Sequence, residues 1–173
     1  MRPVIALVGA RGAGKTTVGA LLAARLGWSF VDTDAQVVAR LGRPVAALFA
    51  AGRAADFRAA EAEAVAEALA GERVVVATGG GAVLAAVTRA RLAAVFTAWL
   101  QAPPATLAAR TTGSGRPPLT ALPPADEAAR VLDERRSLYT GCATLTLETA
   151  DLTPEEVVDA LESAWRRARA EAP

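Results

Sequence analysis

The stretch from Gly9 to Thr17, GARGAGKTT, follows directly on the apolar run Val4 to Val8, and no other part of the chain limits its fold so tightly. It fits GxxxxGK[ST], in which glycine-freed backbone N–H groups wrap phosphate, a lysine reaches the outer phosphate oxygens and a hydroxyl serves Mg²⁺. Such a loop works only between a buried strand and a helix. Val18, Leu21, Leu22 and Leu26 supply a helical apolar face that stops at Gly27, so strand, loop and helix are predicted as one unit. Lys15 is the only lysine among 19 cationic residues. A guanidinium fork is too bulky for the narrow loop, whereas an ammonium is a compact point charge. Gly12, Ala13, Gly14, Lys15, Thr16 and Thr17 are therefore the expected binding set for the phosphates of a nucleoside triphosphate, with Thr16 as a ligand of Mg²⁺.

A chain of 173 residues suits one well-cored domain and is short for two. With 53% apolar residues it is not a disordered chain, and a formal charge of +1 gives no reason to expect nucleic acid or a membrane surface as partner. Cys142 stands alone, so no disulfide framework or cysteine-zinc cluster is expected; it reads as a small buried hydrophobe. The absence of histidine removes the commonest general base and leaves proton transfer to carboxylates. The N-terminal apolar run is too short to span a bilayer, and a cytoplasmic protein is the simplest expectation.

Short apolar runs alternate with helical patterns along the chain. Strands are predicted at residues 4–8, 28–32, 73–77, 96–100 and 143–148. In the last, Leu145 and Leu147 alternate with Thr144 and Thr146, as suits an edge strand. Helices are predicted after the phosphate loop and at about 35–41, 45–50, 54–70, 84–93, 104–111, 125–139 and 154–170. Asp126 and Thr153-Pro154-Glu155-Glu156 supply helix-opening chemistry. Such alternation means an α/β fold with a parallel sheet covered by helices on both faces. Residues 112–124 break the rhythm, being rich in glycine and proline with Arg116 as their one cation; a mobile lid over a phosphate-transfer site is expected there.

Ligands of open α/β sheets sit at the carboxyl ends of the strands. Asp32-Thr33-Asp34 ends the second strand, and alternate residues of an extended stretch point the same way. One acid can hold Mg²⁺ through water and the other can accept a proton from a substrate hydroxyl; a helix N-cap plus a surface acid is the plainer alternative. Gly79, Gly80 and Gly81 after the third strand let backbone approach a ligand closely. Arg58 and Glu61 share a helix face, which by itself suggests a surface ion pair, and Arg136 and Tyr139 repeat that spacing.

Taken in order, GARGAGKTT, Asp32-Thr33-Asp34, Phe57-Arg58 with Glu61, Gly79-Gly80-Gly81, Arg116-Pro117-Pro118-Leu119 and Arg136 to Tyr139 resemble the shikimate kinases over nearly the whole chain. The resemblance implies a single kinase domain over residues 1–173, with phosphate loop 9–17, substrate-binding segment about 32–61 and lid about 112–124. It implies a three-layer P-loop fold with a five-stranded parallel sheet, like that of nucleoside monophosphate kinases. The implied reaction moves the γ-phosphoryl group of ATP-Mg²⁺ to the 3-hydroxyl of shikimate, giving shikimate 3-phosphate and ADP in chorismate and aromatic amino-acid biosynthesis. Lys15, Asp34 and Arg116 would be catalytic, with Asp34 as base; Thr16 would ligate the metal and Asp32 would stand in its outer shell. Arg110 and Arg116 would join the phosphate loop around ATP. Asp34, Phe49, Phe57, Arg58, Arg136 and the turn Gly79, Gly80 and Gly81 would hold shikimate, Arg58 and Arg136 taking its carboxylate. A monomer is expected. Two other readings are a gluconate or nucleotide kinase of related fold, and a non-catalytic regulatory module that binds the same ligands.

Overall fold

The structure, a computed structural model, describes residues 2–43, 47, 51–112 and 121–171. The helix expected at 45–50 with its Phe49, and the lid stretch 113–120 with its Arg116, lie outside the described residues.

The chain runs β1 (Val4–Val8), α1 (Lys15–Leu26), β2 (Ser29–Asp32), α2 (Thr33–Leu41), α3 (Ala54–Ala70), β3 (Val74–Ala77), a 3₁₀ turn (Ala82–Leu84), α4 (Ala86–Ala93), β4 (Phe96–Gln101), α5 (Pro104–Thr111), α6 (Pro124–Cys142), β5 (Leu145–Glu148) and α7 (Pro154–Ala170). All strand pairs are parallel, in the order β2-β3-β1-β4-β5. β1 therefore sits at the centre, between β3 and β4. Its connection through α1 leaves toward β2 on one side, while β4 lies on the other, so a crevice opens at its carboxyl end.

Every residue of β1 is buried because both faces of the sheet are covered. The pleat still divides the run between two cores. Ile5 and Leu7 pack with Leu22, Phe96, Leu100, Leu107, Leu161 and Trp165. Val4, Ala6 and Val8 face the other way, toward Val65, Val76, Trp99, Tyr139 and Cys142. The edge strand β5 is only partly buried, alternating as its leucines and threonines do.

The helices match the sequence with local shifts. In α1 the buried face is Val18, Gly19, Leu22 and Ala23, whereas Leu21, expected on that face, is exposed. Gly19 belongs to it because a Cβ there would meet the Phe30 ring at 2.6 Å. The segment expected as one helix over 84–93 is a 3₁₀ turn followed by α4. Helix α6 extends to Cys142, beyond the expected end at 139. Helix α7 opens with the anticipated capping box: the Thr153 hydroxyl accepts from the Glu156 N–H, and the Glu156 carboxylate accepts from the Thr153 N–H at 2.8 Å. Its far end sets Trp165 edge-on against Trp28, with ring centroids 4.9 Å apart.

Leu22 is fully buried where α1 meets the sheet, so Leu22→Ala removes transfer energy and leaves a cavity. It is expected to lower the unfolding free energy by about 2–5 kcal/mol in a denaturant titration. A change within 0.5 kcal/mol, the scale of neutral surface substitutions, would mean that this face of α1 is not core.

Candidate functional site

The phosphate loop is shaped by glycines where backbone geometry requires them. Gly12 and Gly14 have φ of 83° and 86°, a region costly for residues with a Cβ. Gly14 is also the N-cap of α1 and offers no side chain to cap it, and the first turn carries no acid. The first bond of the helical ladder runs from the Val18 N–H to the Gly14 carbonyl, so the N–H groups ahead of it form the positive end of the helix dipole. This is the anion site of a helix N-terminus. The Lys15 ammonium arches back over the loop and donates to the Gly9 and Ala10 carbonyls at 2.8 and 2.9 Å.

Thr16 donates from Oγ1 to Asp32 Oδ2 at 2.8 Å. The other Asp32 oxygen accepts from the Ala35 N–H at 3.1 Å and so caps α2. The chain is already helical at Thr33, and the two acids therefore do not share a face through extended alternation as expected. They reach the same groove because Asp34 stands in the first turn of a helix that starts at its mouth. The N-cap role considered for Asp34 belongs to Asp32. A hydroxyl beside a carboxylate is a hard-oxygen pair suited to Mg²⁺ that keeps several waters and phosphate ligands. Among the described residues, no cluster of three or more acids, cysteines or histidines offers a cage made wholly of protein.

The groove has a volume of about 550 Å³ and runs from Asp34 and Thr78, along the phosphate loop, to Arg110, Thr149, Leu152 and Pro154. Arg110 donates to the Thr149 hydroxyl at 3.1 Å and to the Thr149 carbonyl at 2.7 Å, which fixes its guanidinium at that end.

At the other end, β3 runs into Thr78 and the three glycines. None of the three has positive φ, so they are glycines for reasons of space. A Cβ on Gly79 would run into the Asp34 carboxylate and come within 2.6 Å of Glu61 Oε1; one on Gly81 would strike the Arg58 guanidinium. The missing side chains are what let two acids and an arginine close on the turn. The Gly79 N–H donates to the Thr33 hydroxyl at 3.3 Å.

Arg58 and Glu61 are not a surface pair. Glu61 is 3% exposed and accepts from Arg58 Nη1 at 2.5 Å. Burial pushes the Glu61 carboxyl above its ordinary range, Arg58 opposes the rise, Asp34 adds to it and Arg135 opposes it. The Arg58 guanidinium lies 5.3 Å from the centroid of Phe57, whose ring is buried with Val37 and Ala64.

From α6 it is Arg135 that reaches the glycine turn, donating to the Gly80 carbonyl at 3.0 Å. Arg136, the residue singled out from the sequence, is exposed and lies over the Trp99 ring at 6.0 Å. The signal that separates them is helical phase: Arg135 falls in the middle of the stripe Val131, Leu132, Tyr139 and Cys142, and Arg136 at its edge. The buried position of Glu61 and the contact of Tyr139 with the turn were likewise not assigned from the sequence.

The family model described as shikimate kinase matches residues 11–165. The chain belongs to the shikimate kinase family. A shikimate kinase of Thermobifida fusca (strain YX) is 44% identical over 158 residues, spanning 91% of this chain and 92% of that protein. Among solved structures, shikimate kinase from Acinetobacter baumannii in complex with shikimate superposes with a TM-score of 0.90 at 30% identity, covering 100% of this chain and 97% of that one. A gluconokinase from Sinorhizobium meliloti reaches a TM-score of 0.64 at 20% identity, with 97% and 95% covered, a likeness of fold. The shikimate kinase framework thus carries the five-stranded parallel sheet and the crevice over β1.

The raised pKa of Glu61 has a definite sign in stability. The folded chain holds this proton more tightly than the unfolded chain, so its contribution is present below about pH 4.5 and lost as pH climbs through the raised folded value. The unfolding free energy of the wild type minus that of Glu61→Gln is expected to fall as pH rises from 4.5 toward neutrality, measured by denaturant titration. A difference that stays flat or climbs would mean that Glu61 is not desolvated.

Proposed function

We propose that this chain phosphorylates shikimate, transferring the γ-phosphoryl group of ATP to the 3-hydroxyl with release of ADP, as a single kinase domain acting as a monomer in the cytoplasm. Among the described residues no helix is long and apolar enough to cross a membrane. The observation that carries the reading is the convergence of Arg58, Arg135 and Asp34 on a glycine turn set beside the phosphate loop. Two guanidinium groups suit a planar carboxylate, and a carboxylate between them and the phosphates suits the hydroxyls of the same small acceptor.

Phosphoryl transfer has a loose transition state, so the protein's task is alignment and charge neutralisation. The loop N–H groups and Lys15 hold the transferring phosphate. Asp34 binds the acceptor hydroxyl and takes its proton as the oxygen attacks phosphorus. Arg58 and Arg135 fix the acceptor carboxylate, Phe57 backs the ring, and Arg110 lies against the adenine. Thr16 would ligate Mg²⁺ and Asp32 would hold it through water, and the ion when bound would neutralise phosphate charge. Phe49 and Arg116, outside the described residues, are assigned to the acceptor ring and to the phosphates by the family resemblance alone. Arg135 takes the second carboxylate-binding place because it, and not Arg136, stands at the turn.

Release of ADP from ATP-Mg²⁺ tests the reading directly, with shikimate, gluconate and nucleoside monophosphates as acceptors. Stimulation by shikimate alone is the expected result; stimulation by another acceptor would keep the phosphate site and overturn the acceptor pocket. Loss of one charge-assisted pair at the carboxylate corresponds to about 1.5–3 kcal/mol, so Arg58→Ala is expected to raise the KM for shikimate roughly 10- to 100-fold while the KM for ATP stays put. Arg116→Ala is expected to lower turnover by roughly 10² to 10⁴. Full turnover in that variant would remove Arg116 from the chemistry.

A further inference from the structure

One peptide of the glycine turn is gripped from helix α6. The Gly80 carbonyl accepts from the Tyr139 hydroxyl at 2.6 Å and from Arg135 Nη1 at 3.0 Å, donors one helical turn apart. On its other side Gly80 abuts the phosphate loop, where an added Cβ would lie 3.3 Å from the Gly9 carbonyl. A trans peptide is planar, with C=O and N–H pointing in opposite directions. Turning the Gly80 carbonyl toward α6 therefore aims the Gly81 N–H away from α6. Gly81 is buried, and no acceptor among the described residues takes that N–H. Buried backbone donors without a partner are rare, and an oriented one beside an arginine-lined pocket is suited to an anion.

Resting on the shikimate reading, we propose that Tyr139 is a positioning residue which, by holding the Gly80 carbonyl, keeps the Gly81 N–H aimed as a donor to the acceptor's carboxylate. Tyr139 is fully buried and stacked on Trp99, with centroids 5.6 Å apart, so it acts through the turn and not on the substrate. Arg135 alone does not suffice for this task. Its guanidinium is shared with the electrostatics around Glu61 and with the substrate, whereas the phenol, which also meets the Arg135 side chain, makes the shorter contact to the Gly80 carbonyl. Burial pushes the Tyr139 hydroxyl up to about 12, so it remains a donor throughout the neutral range.

Tyr139→Phe keeps the ring stack and removes the donor. The expected result is a roughly tenfold rise in the KM for shikimate, with the KM for ATP and kcat within about twofold, as loss of one neutral hydrogen bond predicts. A lowered melting temperature with unchanged KM for shikimate would show a merely structural tyrosine and overturn the proposal. Because Tyr139 is the chain's single tyrosine, biosynthetic replacement by difluorotyrosine, a stronger acid of nearly the same size, alters this hydroxyl alone. In that protein the KM for shikimate is expected to rise with pH as the phenol ionises and stops donating, tracked by its absorbance. A KM that stays flat through that ionisation overturns the proposal even if the phenylalanine variant fails to fold. A wild type that ignores shikimate in the same assay would instead overturn the acceptor reading on which the proposal rests.

Discussion

Two glycine-rich turns lie side by side because β1 and β3 pair in parallel register, and the whole site follows from that pairing. Leu7 stands opposite Ala77, and the Thr78 N–H continues the ladder to the Leu7 carbonyl at 3.1 Å. The chain therefore leaves both strands at the same height, Gly9 beginning the phosphate loop and Gly79 the glycine turn. Gly80 then comes to rest against the Gly9 carbonyl and the Arg11 N–H. A one-residue slip would reverse the faces of β3 and turn Val74 and Val76, now packed with Val65 and Trp99, into the opposite core, where Val75 belongs. The distance between the phosphate loop and the glycine turn is thus set by the hydrophobic core, which has far more energy behind it than any contact in the groove itself.

The glycine turn solves a problem of buried charge. Glu61 is nearly inaccessible, and a carboxylate there is costly unless paired and hydrogen-bonded. Arg58 pairs with it directly, while Arg135 approaches from the opposite helix and adds a second favourable field. Those same guanidinium groups border the turn, so the acid orients groups with which it need not share a ligand. Gly79 and Gly81 are the counterpart of this arrangement, since a methyl group at either would occupy the space that the charged side chains fill.

What was legible in the sequence was whatever residue type alone dictates. The phosphate loop shows because its backbone conformation demands glycine at fixed spacing, and the central strands show because a sheet covered on both faces makes continuous runs such as Val74-Val75-Val76. The amphipathic edge strand and the capping box of α7 are equally local. What escaped was phase and depth. Arg135 and Arg136 are chemically identical, and only the packing of Val131, Leu132 and Tyr139 decides which one faces the turn. Asp32 and Asp34 reach the groove around a helix start and not along a strand, a distinction that Asp32 makes by spending one oxygen on the Ala35 N–H. Glu61 at i+3 from Arg58 looks like a surface pair until the helix is laid against the sheet.

The two adjacent arginines of α6 turn out to divide one task between opposite sides of an aromatic stack. Arg136 covers the Trp99 ring, Trp99 stacks at an interplanar angle of 19° on Tyr139, and the Tyr139 hydroxyl meets Gly80 beside Arg135. Stacked rings with few rotatable bonds transmit position well because they lose little entropy when ordered and resist small displacements in a close-packed interior. A guanidinium over the outer ring adds a further attraction without needing a carboxylate partner. Thus Arg136 stands away from the turn yet packs against the tryptophan on which Tyr139 rests, which gives helix α6 a rigid side facing the glycines. The polar contacts of the turn are held from the core side by rings, and from the other side by the charges of Arg58 and Arg135.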